Sequence, residues 1–322
     1  EYRLALEQDH YSPHLHVRLG ATYVKLGEME KALEQFQRAL TLDAEDPDAL
    51  RWVAMLYTSQ GQLDQAVAAY EQLMTIEPAD RFVMSTLADL FVLQGKTTEA
   101  VALYRRLIRA FGSSSPLHFN LGVLYARQGA LSEALYELSR ALELSPDSLE
   151  IRVALGLTYE MDRRFSTAAA HYEEAIRLDP FNPRLYHYAA RAALSGQEYA
   201  QAAANYQAVL DLTAHDFEAI MGLVRVWMAQ QRFQEAEEFL AKKLEELDEP
   251  PELYVALGLV YREAKQAMEA MRAFQRAIDK KTDYAQAYFY LAAQLDQLGR
   301  KQEARTSLRR TIELEPDHPD AL

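Results

Sequence analysis

Apolar residues recur along the chain at three- and four-residue spacings, in blocks separated by short breaks rich in glycine, proline and polar side chains. In LGVLYARQGALSEALYELSRALELSP, residues 121–146, Leu121 and Tyr125 share one face with Gly122. The run breaks at Gly129, and Ala134, Leu138 and Ala141 share a face of the next run. Spacing of i, i+3, i+4, i+7 predicts two amphipathic helices joined by a tight turn. The same phrase returns at Leu19, Leu155 and Leu257. Alignment gives a period of 34 residues, held without insertion from Pro13 to His318, with repeats starting at 13, 47, 81, 115, 149, 183, 217, 251 and 285. Each repeat is expected to be a helical hairpin, and the fold class all-α.

Within the repeat, small and large residues alternate on a schedule. Position 20 is alanine throughout (Ala32, Ala66, Ala100, Ala134, Ala168, Ala202, Ala236, Ala270, Ala304), and position 8 is glycine or alanine everywhere except Val224. Position 11 is mostly aromatic, as in Tyr23, Phe91, Tyr125 and Trp227, and position 24 is always large, from Phe36 to Leu308. Gly122 raises a question, because glycine inside a helix costs roughly 1 kcal/mol relative to alanine. The expected answer is close approach: glycine at position 8, facing the alanine at position 20, lets the paired helices interlock. Glycines at position 15 (Gly27, Gly61, Gly95, Gly129, Gly299) and prolines at position 32 (Pro78, Pro146, Pro180, Pro316) mark the turns. In AFGSSSP, residues 110–116, Gly112 suits a helix end, Ser115 a cap and Pro116 a first turn.

These features resemble the tetratricopeptide repeat family, whose signature L-G-x2-Y, then A-x3-F, then P is matched closely in repeats one, two, four, five and eight. The resemblance covers essentially the whole chain. It implies hairpins stacked into a right-handed superhelix, a solenoid whose concave groove is lined by the first helices. Repeats six and seven depart from the pattern at Ala193, at Val224 and in KKLEELDEPPE. Residues 1–12 read as the second-helix remnant of a preceding repeat, with Tyr2 and Ala5 at its positions 24 and 27, and residues 319–322 as the start of a further one. A segment of a longer protein is therefore expected. Relatives that clamp a terminal carboxylate need a lysine, arginine and asparagine set that no three consecutive repeats supply. The asparagine ladder of O-GlcNAc transferases is reduced to Asn120.

Composition narrows the function. Hydrophobic residues make up 49% of the chain, enough for a core, and the formal net charge of −14 opposes nucleic-acid or acidic-membrane binding. Without cysteine there are no disulfides, thiolate metal sites or cysteine nucleophiles. There is no signal peptide and no membrane-spanning run in this sequence, so direct membrane insertion is not expected; the compartment stays open between cytoplasm and a cell-envelope lumen. The glycines are periodic rather than phosphate-cradling, and no nucleophile, base or metal set converges. His10, His14 and His16 form the one metal-like cluster, but Pro13 separates His10 from the helix and an i, i+2 pair diverges. No enzyme activity, metal or cofactor is expected.

The informative surface is the second stripe of each first helix, positions 2, 5, 9 and 12, which in the family faces the groove. At positions 5 and 9 it is mostly apolar: Val17, Ala21, Met55, Phe119, Val123, Val153, Leu157, Met221, Val255, Leu259, Phe289 and Ala293. Either these pack on the neighbouring helix or they hold a ligand. Arg191, Arg225 and Arg262 add a basic ladder unless Glu160, Glu218 and Glu252 neutralise it. The expected function is a protein-interaction scaffold that holds a partner peptide or helix carrying apolar anchors and acidic residues, with Met55, Phe119, Val123, Val153, Leu157, Arg191, Met221, Arg225, Leu259 and Arg262 as its contacts. The alternatives are the targeting arm of a multidomain enzyme and a platform that self-associates through open ends.

Overall fold

The computed structural model of the chain describes residue 2 and residues 11–317, and every regular element among them is an α-helix. The chain divides into two compact units, Glu1–Ala154 and Leu155–Leu322. The first holds helices α1 (Pro13–Lys25), α2 (Met29–Leu42), α3 (Pro47–Ser59), α4 (Leu63–Ile76), α5 (Arg81–Leu93), α6 (Thr97–Phe111), α7 (Ser115–Arg127) and α8 (Leu131–Leu144). The break between units falls within α9 (Leu149–Met161). The second holds α10 (Phe165–Leu178), α11 (Pro183–Ser195), α12 (Tyr199–Leu212), α13 (Phe217–Ala229), α14 (Phe233–Glu246), α15 (Pro251–Glu263), α16 (Ala267–Lys280), α17 (Ala285–Gln297) and α18 (Lys301–Leu314). Within each unit helices pack chiefly on their neighbours in sequence, as stacked hairpins. Of the expected remnant at residues 1–12 only Tyr2, Tyr11 and Ser12 are described; Tyr2 is helical and packs on the first unit's core. Ala5, His10 and residues 319–322 lie outside the described residues.

Several first helices start where a short polar side chain accepts the orphaned backbone N–H groups of the first turn. Asp46 accepts from Ala49 N at 2.8 Å, Asp216 from Ala219 N at 2.8 Å, and Asp80 from both Phe82 N and Val83 N. Their ends are equally regular. The residue at position 15 takes a left-handed conformation, its N–H bonds back across one turn, and the next N–H reaches the carbonyl of position 11. Gly27 N to Val24 O (3.0 Å) and Glu28 N to Tyr23 O (2.9 Å) are one instance of this Schellman geometry. The conformation persists where glycine does not: φ is 71–77° at Gly27, Gly61, Gly95, Gly129 and Gly299, and 59–62° at Arg163, Gln197, Gln231 and Lys265.

Close approach explains Gly122, but with a different partner from the one expected. A Cβ there would lie 2.7 Å from Leu138 Cγ, the side chain at position 24 rather than the alanine at position 20. Gly20, Gly156 and Gly258 likewise face Phe36, Tyr172 and Phe274 of position 24. In several repeats the far side of the large residue meets position 6 of the next repeat. Phe36 stacks on Trp52 at 5.5 Å, Tyr172 on Tyr188 at 5.4 Å and Phe274 on Tyr290 at 5.7 Å, and Asn120 donates to the Tyr104 hydroxyl. In these repeats position 24 joins one hairpin to the next. Burying such a side chain contributes roughly 1.5–3 kcal/mol, more than the glycine costs.

The departures in repeats six and seven are compensated locally. Tyr206 at position 24 meets Gly222 at position 6 of the next repeat, where a Cβ would be 2.3 Å from its Cζ. Val224, the large residue at position 8, is buried in the same core as Leu240, the smaller position-24 residue of its repeat. KKLEELDEPPE closes through two successive left-handed residues, Asp248 and Glu249, so α15 still starts on schedule. Ser115 does not cap α7. It is the helix's first residue, and its hydroxyl donates to Ala141 O at 2.9 Å.

Candidate groove surfaces

In the first unit, α5, α6 and α7 enclose an open cleft of about 350 Å³. Val92 and Leu93 supply one apolar wall and Phe119 and Val123, at positions 5 and 9 of repeat four, the other. Its floor is polar. Tyr104, 1% exposed, donates its hydroxyl to Asp89 and accepts from Asn120 Nδ2 at 3.2 Å. Burial and the adjacent Asp89 carboxylate both push the Tyr104 phenol upward, so it stays a neutral donor. Arg127 lies at the cleft mouth with Leu93, which is 69% exposed. This is an apolar slot with a few fixed hydrogen-bonding groups, the usual composition of a ligand site.

Elsewhere in that unit Met55 is exposed and Val153 half-buried, whereas Val17, at an equivalent position, is core. In the second unit Leu157 is exposed, but Met221 and Leu259 are half-buried against the core and Val255 is fully inside it. First helices there pack directly on one another, α11 on α13, α13 on α15 and α15 on α17.

The arginines differ among themselves. Arg191 grips Glu160 through two hydrogen bonds, Nη2 to Oε2 at 2.8 Å and Nε to Oε1 at 3.3 Å. The same carboxylate accepts from the Tyr172 hydroxyl at 3.0 Å. Its hydrogen bond to Glu160 raises the Arg191 pKa further, and burial with the Glu160 charge raises that of Tyr172. Arg262 contacts Glu263 at 3.4 Å and lies over the Tyr290 ring. Arg225 has no ion-pair partner among the described residues, although Glu218 sits two turns before it.

The metal-like histidines are engaged otherwise. His14 accepts from Arg18 at 2.9 Å and His16 is buried against Gln35 at 2.9 Å. No group of three or more His, Asp or Glu suited to a metal occurs among the described residues. Among them also, no helix is long and apolar enough to cross a membrane. The site features that sequence reasoning missed are Tyr104 and Asp89. In the sequence Tyr104 stands out only as one of the large residues of position 24, and its hydroxyl is the one signal of a further role.

Family models of the tetratricopeptide repeat match residues 17–80, 85–149, 137–183 and 255–322, and a second such model matches 193–257. The chain belongs to the tetratricopeptide repeat family. No protein with a curated description matches it by sequence. Solved structures that share the fold include YrrB, described as a tetratricopeptide repeat protein with an unusual peptide-binding site. It is 19% identical, with 58% of this chain and 96% of that one covered and a TM-score of 0.52. A tetratricopeptide repeat protein from Parabacteroides merdae is 17% identical, covering 83% and 98%, with a TM-score of 0.52. The C-terminal part of a repeat-containing protein from Cytophaga hutchinsonii is 14% identical, covering 85% and 99%, with a TM-score of 0.57. At these identities the likeness establishes the tetratricopeptide solenoid as the fold.

Proposed function

We propose that this tetratricopeptide repeat protein is a non-enzymatic scaffold that holds a partner peptide or helix against the groove-facing stripe of its first helices. The observation that carries this reading is the cleft between α5 and α7. Phe119 and Val123 are turned out of the core there and stand over the Asp89–Tyr104–Asn120 network. A preorganised slot of this kind leaves the partner to bear most of the ordering entropy. YrrB, described by its peptide-binding site, has the same fold. Met55 and Val153 belong to the same stripe in the first unit; in the second unit the stripe is carried by Leu157 and by the exposed edges of Met221 and Leu259.

The test is comparative capture from native extract. Wild-type chain, Val123→Asp and Phe119→Asp are coupled to separate supports, and bound proteins are quantified by mass spectrometry. A partner retained by wild type and lost from both variants, with circular dichroism unchanged, supports the reading. A partner retained equally by all three would place the interaction off this groove.

A further inference from the structure

Tyr172, Glu160 and Arg191 form a closed trio, in which one carboxylate accepts from a phenol and from two guanidinium N–H groups. Moved forward by one period of 34 residues, the trio becomes Tyr206, Leu194 and Arg225. Phenol and guanidinium recur, and the carboxylate is replaced by an alkyl side chain. Tyr206 is 3% exposed, and its hydroxyl-bearing end lies against Gly222, where a Cβ would be 2.3 Å from Cζ. Arg225 stands one helical turn beyond Gly222 on the same face of α13. Its charge acts on the Tyr206 phenol, which burial raises and Arg225 lowers, with Glu218 opposing. Neither the Tyr206 hydroxyl nor Arg225 has a hydrogen-bond or ion-pair partner among the described residues. Leu194 is half-buried on the same core as Tyr206 and offers apolar contact to a side-chain stem.

We infer that Tyr206 and Arg225 receive the side-chain carboxylate of a glutamate on the bound partner, in the place that Glu160 fills one repeat earlier. The protein displays the bound form of its own site: Glu160 shows that a glutamate carboxylate satisfies this phenol–guanidinium pair. Arg225, rather than Arg191, is then the groove cation that selects an acidic partner, because the charge of Arg191 is already paired with Glu160. The inference rests on the scaffold reading, yet it can be tested without a partner.

The probe is N-acetyl-glutamate α-amide, which carries only a side-chain carboxylate, titrated into the full chain with ¹⁵N-labelled arginine. The expected result is a saturable shift of the Arg225 Nε–H resonance, identified by its loss in Arg225→Gln, with Arg191 unmoved. The neutral N-acetyl-glutamine α-amide should bind about tenfold more weakly or not at all. Leu194→Glu should abolish the response by completing the trio internally. Glu160→Leu should make Arg191 responsive, and it keeps the test decisive if Leu194→Glu does not fold. A shift at Arg225 that is linear and equal to that of other exposed arginines overturns the inference, as does an unchanged response in folded Leu194→Glu. A stronger response to N-acetyl-glutamine, which carries only a terminal carboxylate, would overturn the side-chain assignment. Failure of the scaffold reading would show instead in the capture experiment, with this titration unaffected.

Discussion

In the first unit the position-5 and position-9 residues of repeat four, Phe119 and Val123, line a cleft; in the second, the position-5 residue of repeat eight, Val255, is 4% exposed. Both stretches are equally apolar in sequence. What separates them is the distance between first helices. Ala189, Ala192, Ala193 and Ala256 are small and buried, and α11, α13 and α15 pack on one another and absorb much of their stripe. Between α5 and α7 the Tyr104 side chain and its polar partners occupy the floor, and the stripe stays open. An apolar groove position is thus core or ligand surface according to what its neighbours leave room for.

The largest contrast should come from placing one charge on the groove stripe of each unit. Val255→Asp should destabilise by about 3–5 kcal/mol, because an unpaired carboxylate enters the core. Val123→Asp should cost about 1 kcal/mol or less, because that side chain already meets solvent. Urea titration followed by circular dichroism reads both. Equal losses would erase the distinction between the units.

Next in size are the glycines that seat position 24. Gly156→Ala should cost about 1–3 kcal/mol, since its Cβ would meet the Tyr172 ring at 2.4 Å and that ring is held by Glu160 and Tyr188. Gly122→Ala should cost a similar amount, because its Cβ would lie 2.7 Å from Leu138 Cγ and 3.1 Å from the Leu138 backbone nitrogen, and Gly122→Val should cost more than either. Unchanged stability in either alanine variant would show that the glycine is not what seats the position-24 side chain.

A smaller effect concerns acid. In the first unit Arg51 Nη1 bonds Asp80 Oδ2 at 2.8 Å, and the same two repeat positions in the second unit hold His187 and Asp216 at 3.1 Å. Burial raises the Asp80 carboxyl, but the Arg51 hydrogen bond and the Val83 and Phe82 N–H groups outweigh it, leaving its pKa below the ordinary value. Because the native pKa is depressed, this contribution is complete above the unfolded-state pKa and is lost as pH falls through the native one. Asp80→Asn should therefore flatten the acid limb of stability against pH. An unchanged limb would mean that Asp80 gains nothing from its partners.

Smallest are the hairpin turns. Arg163, Gln197, Gln231 and Lys265 hold the left-handed conformation that glycine holds throughout the first unit. Each replaced by glycine should stabilise by about 0.4–1 kcal/mol, and Gly95→Ala should destabilise by a similar amount, since a Cβ there meets nothing within 4 Å and only φ matters. Thermal melts of the single variants check this. Destabilisation by Arg163→Gly would mean that its side chain contributes more than its backbone strain costs.

The period, the hairpins and the turn glycines were legible because each rests on residues within one repeat. The link between position 24 and the next repeat's position 6 was not, since Trp52, Asn120, Tyr188 and Gly222 share no residue type; what they share is a neighbour. Nor did the turns at Arg163 and Gln231 declare themselves, because the backbone geometry is imposed by the stacked hairpins and overrides local preference. Glu160 was named as a partner for the arginines, and it does bind Arg191. Which arginine was left over could be read only once that pair was seen.

The most direct test of the account places a photo-reactive group in the cleft. Phe119 is replaced by p-benzoylphenylalanine, and the same residue is put at Tyr136, exposed on the second helix α8 of that repeat. Irradiation in native extract should give a covalent adduct to a partner protein from position 119 and none from position 136. Adducts from position 136 alone, or equally from both, would contradict the claim that this cleft is the surface the scaffold uses.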